Sequence, residues 1–388
     1  MGEWREYKIS DIATLVKNSW KVGDEKLPYL GLEHIEEAKL RLNGIGSSDD
    51  VASNKYRFSS GDVLFGKLRP YFRKVVKPNF NGICSTDIWV LNTTKKSDIN
   101  FLFYFFANQE LINLSYSSSS GTRMPRADWK FLSQTLWDIP PLKEQKAIAE
   151  VLSSLDDKID LLHRQNRTLE EIAQTLFRQW FIEEAKDEWE VVSLDDILTI
   201  TSSKRVFYSE YVSSGIPFYR SKEIIELHNT GQTKGELFIS EERYNEIVEK
   251  SGAINHGDIL LTSVGTLGIP YRVNKDDKFY FKDGNLTWFK DFTKLPSLII
   301  LYWLKSDIGK EQLDAVSIGS TQSALTIKSL KSIQLALPPS NIINKLEDQL
   351  IMIDDKLQAN LKQIKTLENT RDTLLPKLMS GEVRIKDE

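Results

Sequence analysis

Between Gly61 and Lys77, five cations (Lys67, Arg69, Arg73, Lys74 and Lys77) stand against one acid, Asp62. Lysine and arginine on loops suit phosphate oxygens, and the arginine fork can also read a base edge. A second cluster joins Thr122, Arg123 and Arg126 to the serine run at 117–120 and to Gly121. Serine and glycine make that stretch a flexible loop, with Arg123 placed to reach a groove. Later in the chain, Thr262, Ser263, Gly265 and Thr266 follow a second Gly-Asp segment. Gly319-Ser320-Thr321-Gln322-Ser323 matches the first serine-glycine loop, and Arg220, Ser221 and Lys222 add a small polar cluster. Each of these is a candidate DNA contact, and for each the bland alternative is a solvent-exposed loop. The net charge of −4 confines nucleic-acid binding to such local patches.

Other chemistries are poorly served. Gly265-Thr266-Leu267-Gly268 is no phosphate loop, because no Gly-Lys-Ser/Thr follows. No Asn/Asp-Pro-Pro-aromatic motif occurs, so amino-methyl transfer is not expected on this chain. His34, His163, His228 and His256 lack ligand spacing, and the single Cys84 builds neither a zinc site nor a disulfide framework. One cysteine also fits a reducing compartment. No apolar run approaches membrane-spanning length. No early stretch reads as a secretory leader, and the expectation is a cytoplasmic protein without metal or cofactor of its own.

The candidate residues sit on a duplicated frame. Gly61-Asp62-Val63-Leu64-Phe65 recurs 196 positions later as Gly257-Asp258-Ile259-Leu260-Leu261. Asp156-Asp157-Lys158 recurs at 198 as Asp354-Asp355-Lys356, and Trp4 to Ile12 is echoed by Trp189 to Ile197. In both copies the Gly-Asp pair suits a tight turn before a strand, with Asp bonding backbone N–H groups. Strands are expected at 62–65, 87–91, 258–261 and 286–289, and core helices over 100–114 and 298–305. Trp89, Trp129, Trp137 and Trp288 read as core side chains. The fold class is α+β: two similar mixed α/β heads, at 1–139 and 186–337, each followed by a helical stalk, at 140–185 and 338–388.

The stalks carry the strongest periodicity. Ile148, Leu152, Leu155, Ile159, Leu162, Asn166, Leu169, Ala173, Leu176 and Trp180 step by four and three. So do Leu346, Leu350, Ile353, Leu357, Asn360, Ile364, Leu367, Arg371, Leu374 and Leu378. Such spacing argues coiled coil. A head lies between the stalks, so an antiparallel pair is the simple connection, with the heads at opposite ends and an approximate two-fold between them. Asn166 opposite Asn360 gives partners that sum to 526 and uses every layer. A buried Asn against Leu would instead cost about 1–3 kcal/mol. Pro376 is expected to kink or end the second helix near Leu375, with Gly381 as its stop. Asp156-Asp157 and Asp354-Asp355 fall off the seam and read as a solvated or docking face.

The segments 140–181 (PPLKEQKAIAEVLSSLDDKIDLLHRQNRTLEEIAQTLFRQWF) and 374–385 (LLPKLMSGEVRI) resemble the helical regions of type I restriction-modification specificity subunits. GDVLFGKLRP and GDILLTSVGTLG resemble the motif inside each target recognition domain of that family. The second stalk departs from the pattern, with Ser-Asn-Ile-Ile-Asn where the first has Glu144-Gln145. The resemblance implies a subunit without catalysis of its own, whose heads each read half of a bipartite double-stranded DNA site. It implies that the stalks set the gap and dock two methyltransferase subunits, to which restriction subunits can be added. S-adenosylmethionine would then be bound by the methyltransferase partner. The rival readings are a coiled-coil scaffold that binds only proteins, and a nuclease with fused recognition domains.

Overall fold

The computed structural model describes residues 3–118, 123–319 and 323–385. The chain divides into two compact units, Met1–Leu162 with Lys362–Glu388, and His163–Leu361. Each unit therefore holds one head and part of each long helix, so the units cut across the segments 140–185 and 338–388.

In the first unit, Arg5–Lys8 pairs antiparallel with Leu136–Ile139 and ties the start of the head to its end. A four-stranded sheet runs in the order Ala13–Val16, Ile88–Thr93, Val63–Gly66, Val75–Val76. Its central strand Val63–Gly66 is buried along its whole length. Against it packs Ile99–Ala107, which is apolar on nearly every face and buried from Phe101 to Ala107. Asp98 caps this helix by accepting from Asn100 N and Phe101 N. The single helix expected over 100–114 is two, because Asn108 is extended (φ −67°, ψ 135°) and a second helix, Gln109–Ser117, restarts beyond it. A second sheet has the order Ser19–Trp20, Lys55–Phe58, Gly82–Cys84, Pro28–Leu30, Gly46–Ser47, with Gly82–Cys84 and Pro28–Leu30 parallel. Burial in that sheet pushes the Cys84 thiol up to about 12, which makes it inert.

The second unit repeats the plan. Glu190–Ser193 pairs with Gln334–Leu337. The four-stranded sheet runs Thr199–Thr201, Leu286–Lys290, Ile259–Thr262, Pro270–Arg272, the same order as in the first unit. Ser297–Lys305 takes the place of Ile99–Ala107. The further sheet differs: Tyr211–Val212, Phe238–Ile239, Ile216–Tyr219, Tyr280–Phe281, with the helices Ser221–Thr230 and Glu241–Ser251 inserted. The two Gly-Asp turns match closely. Gly61 and Gly257 have φ of 90° and 92°, where only glycine is unstrained. Asp62 accepts from Ser59 N at 2.7 Å, and Asp258 from Asn255 N at 2.8 Å.

The long helices are Leu142–Arg178 and Ser340–Met379. Inside each unit they run antiparallel. In the second unit Asn360 Nδ2 donates to Asn166 Oδ1 at 2.8 Å, which is the expected polar layer. There Ala173, Leu346, Leu350 and Leu357 are buried in one cluster. In the first unit Ile159, Leu162 and Ile364 form a cluster flanked by Leu367, and Ile148 and Leu152 share a core with Leu378. Within these clusters Ala173 with Ile353, Leu162 with Ile364, Ile159 with Leu367 and Ile148 with Leu378 each sum to 526. One local expectation changes. The second helix does not end near Leu375 but continues through Pro376 to Met379. The first helix ends in a π-turn at Gln179–Glu183, which stacks Phe181 on Phe177 in the core.

Asp156 is not solvated. It accepts from Tyr104 Oη at 2.7 Å and from Arg371 Nη1 at 2.7 Å, and Arg371 is only 1% exposed. Burial pushes its carboxyl up, against the pull of Arg371 and Tyr104. In the second unit Asp354 pairs instead with Arg272 of the head, at 3.0 Å, and Lys305 pairs with Glu170. These contacts clamp each head onto its own helix pair.

Candidate nucleic-acid interface

Two of the cationic segments meet in the first head. Arg69 N donates to Pro125 O at 2.7 Å, Ala127 N donates to Lys67 O at 2.9 Å, and Leu68 bridges Arg126. Lys67 N donates to Asp87 O at 2.9 Å, which ties the junction to the loop before Ile88–Thr93. The second head builds the same junction. Val264 bridges Ala324, Leu325 N donates to Ser263 O, and Ser263 N donates to Asn285 O. The Gly-Asp strand thus ends, in both heads, against the segment that follows the serine-glycine stretch of the sequence.

The side chains at the two junctions differ. In the first head Arg69 is exposed and held in a left-handed conformation (φ 50°, ψ 61°) ahead of Pro70. Such strain in a non-glycine residue costs on the order of 1–3 kcal/mol and needs support from its surroundings. Arg123 is exposed, Lys67 is half-buried, and Arg126 forms a two-point ion pair with Asp87. Lys67 and Arg126 line an open cleft of about 440 Å³ together with Lys17, Lys130, Tyr56, Trp89 and Trp129. Lys17, Lys130 and Tyr56 are not distinguishable in the sequence, because strand pairing of Val16 with Val90 brings the first of them to this cleft. At the second junction Thr266 and Gly265 are exposed and no arginine replaces Arg126.

Several candidates are placed elsewhere. Arg73 is buried and donates to Asp372 at 2.9 Å, so it holds the head to the second long helix and faces no groove. Lys74 donates to Leu32 O at 2.8 Å. Thr262 and Ser263 are buried at 0% and 2% exposure, with their hydroxyls bonded to Ile269 N and Thr287. These two hold the junction from inside and are out of reach of a base. Arg220 grips Glu223 and Lys222 lies 3.3 Å from Glu236, so this polar cluster is locally neutralised. Thr122, Thr321 and Gln322, with Ser120 and Gly121, lie outside the described residues. Trp89 and Trp288 are buried, and Trp288 Nε1 donates to Asp258. Among the described residues no helix is long and apolar enough to cross a membrane.

Comparison with known proteins agrees with this duplicated design. The family profile described as type I restriction modification DNA specificity domain matches residues 1–171 and again 186–370. The MjaVIII type I restriction enzyme specificity subunit of Methanocaldococcus jannaschii is 24% identical, over 99% of this chain and 94% of its own length. The HindI specificity subunit of Haemophilus influenzae is 21% identical, over 99% of this chain and all of its own. The type I restriction-modification S subunit from M. genitalium superposes with a TM-score of 0.56 at 17% identity, covering 97% of this chain and 96% of that one. The repeated match, over most of the chain, makes this protein a member of the type I restriction modification DNA specificity domain family.

Proposed function

We propose that this chain is the DNA sequence-specificity subunit of a type I restriction-modification complex. One observation carries the reading: the same strand-to-loop junction is built twice on congruent sheets but faced with different side chains. A duplicated frame with divergent loops suits two different half-sites of an asymmetric, bipartite sequence. Cations at the junction would hold phosphates while side chains aimed at base edges specify sequence. A protein-only scaffold would need neither two heads nor a basic cleft.

In this reading the chain performs no chemistry itself. Two methyltransferase subunits dock on the helical regions and bring S-adenosylmethionine, and restriction subunits can join them in the cytoplasm. The helices, about 55–60 Å long at 1.5 Å per residue, set the gap between half-sites. The test is single-molecule sequencing of adenine methylation in cells with and without this gene. A two-part asymmetric motif whose methylation disappears on deletion is expected. Methylation that is indifferent to the gene would remove the specificity reading.

A further inference from the structure

We propose that Arg126, oriented by Asp87, is a guanine-reading residue of the first head, at a position where the second head carries no arginine. The inference rests on the specificity reading above and adds a base and a residue to it. Arg126 Nε donates to Asp87 Oδ1 at 2.9 Å, and Nη2 to Oδ2 at 3.3 Å. This pairing occupies one edge of the guanidinium. A guanidinium has five N–H donors, so a second edge with two roughly parallel N–H groups remains. The Arg126 side chain is 45% exposed at the cleft that also holds Lys67 and Lys130. Two parallel donors match the O6 and N7 acceptors of guanine in the major groove.

The pair is fixed from both sides. Arg126 is bridged to Leu68, and the Asp87 carbonyl accepts from Lys67 N. The ion pair removes rotamer freedom from the arginine before any DNA arrives, which lowers the ordering cost of binding. The register-equivalent positions in the second head are Ala324, bridged to Val264, and Asn285, whose carbonyl accepts from Ser263 N. Neither residue can form this device. The half-site read by the first head therefore contains a guanine sensed by Arg126; in the second head the exposed arginine beside the equivalent strand is Arg205, which pairs with Asp283 through Nε at 3.0 Å from a different position.

The same free edge could grip a phosphate, and the experiment separates the two. The full chain is assembled with its methyltransferase partners, and the first-head half of the methylated motif is assigned by exchanging that head. Each guanine in that half is then replaced by 7-deazaguanine, which lacks the N7 acceptor. One such replacement should weaken binding of the wild-type complex roughly 5- to 100-fold and leave Arg126→Ala unaffected. In cells, Arg126→Ala and Arg126→Lys should both relax that one position, and Asp87→Asn should relax it less. Because Arg126 lies at the surface, melting like wild type is expected. A guanine-free first half would overturn the proposal. So would an unchanged motif with uniformly weaker methylation in Arg126→Ala and near-normal methylation in Arg126→Lys, the pattern of a phosphate contact. Full selectivity in Asp87→Asn would remove the positioning role. A wild-type complex with no chain-dependent motif would overturn the specificity reading, and this proposal with it.

Discussion

The two units solve one problem, fixing a head to a helix pair, with the same carboxylate and different cations. Asp156 and Asp354 occupy equivalent positions 198 residues apart. Asp156 takes its cation from the opposite helix, through the buried Arg371, and adds Tyr104 from the head. Asp354 takes its cation from the head, through Arg272, which also reaches Ser297. The place of Arg371 in the other helix is Ala173, a fully buried small residue. The sheets show the same division: the four-stranded sheets share strand order, whereas the second sheets differ in strand number and inserted helices. The four-stranded sheet that packs against the core helix keeps its order, and divergence collects in the second sheets and their inserted helices.

The largest effect should come from the buried cation. Arg371→Ala leaves Asp156 without its counterion and should cost about 3–5 kcal/mol, seen as loss of hydrogen-exchange protection in the first unit. Arg272→Ala removes a more exposed arginine (13% against 1%) and should cost the second unit less, about 1–3 kcal/mol. Equal losses would break the contrast between the units. Next comes the register layer. Asn166→Leu strands the Asn360 amide and should cost about 1–3 kcal/mol in thermal unfolding. The double change Asn166→Leu with Asn360→Leu should recover most of that loss, because no amide is left unpaired. A double variant as unstable as the sum of the singles would mean that the amide contact is not what these residues contribute.

A smaller difference separates the Gly-Asp turns. Asp258→Ala should cost about 1–2 kcal/mol more than Asp62→Ala, because it also strands the buried indole N–H of Trp288. Asp62 receives its extra bond from the amide of Asn92, at a less buried site. The smallest effect is a pH dependence confined to the second unit. Burial, with Lys305 nearby, holds His228 below the usual imidazole range while its ring bonds to Pro270 O. A histidine with a lowered folded pKa contributes stability above its unfolded value near 6.5, and this is lost as pH falls through that value toward the folded one. Hydrogen-exchange protection in the second unit, measured relative to the intrinsic exchange rate at each pH, should therefore fall below about pH 6.5, and His228→Asn should abolish that slope.

Much of the frame was legible because it is written twice. Offsets of 196 and 198 aligned the Gly-Asp strands, the core helices and the serine-glycine segments, and four-three spacing with one Asn on the apolar stripe of each stalk gave the register. The site was less legible. Charge patterning put Arg73 among the DNA contacts, but its carboxylate partner Asp372 lies 299 positions away and is visible only in three dimensions. Thr262 and Ser263 looked like loop hydroxyls because the strand end that buries them is fixed by pairing with Leu286 and Thr287. Asp156 looked solvated because heptad position alone does not reveal that Tyr104 covers it. Arg126 stood out as a cation, but Asp87 beside it did not, since the bridge from Leu68 is what joins them.

The central claim is that two heads on one frame read two independent words. Exchanging residues 1–139 for the corresponding head of a family member, then sequencing adenine methylation in cells, tests it most directly. The account predicts that one half of the methylated motif changes while the other half and the gap stay the same. A motif that changes in both halves, or in neither, would contradict it.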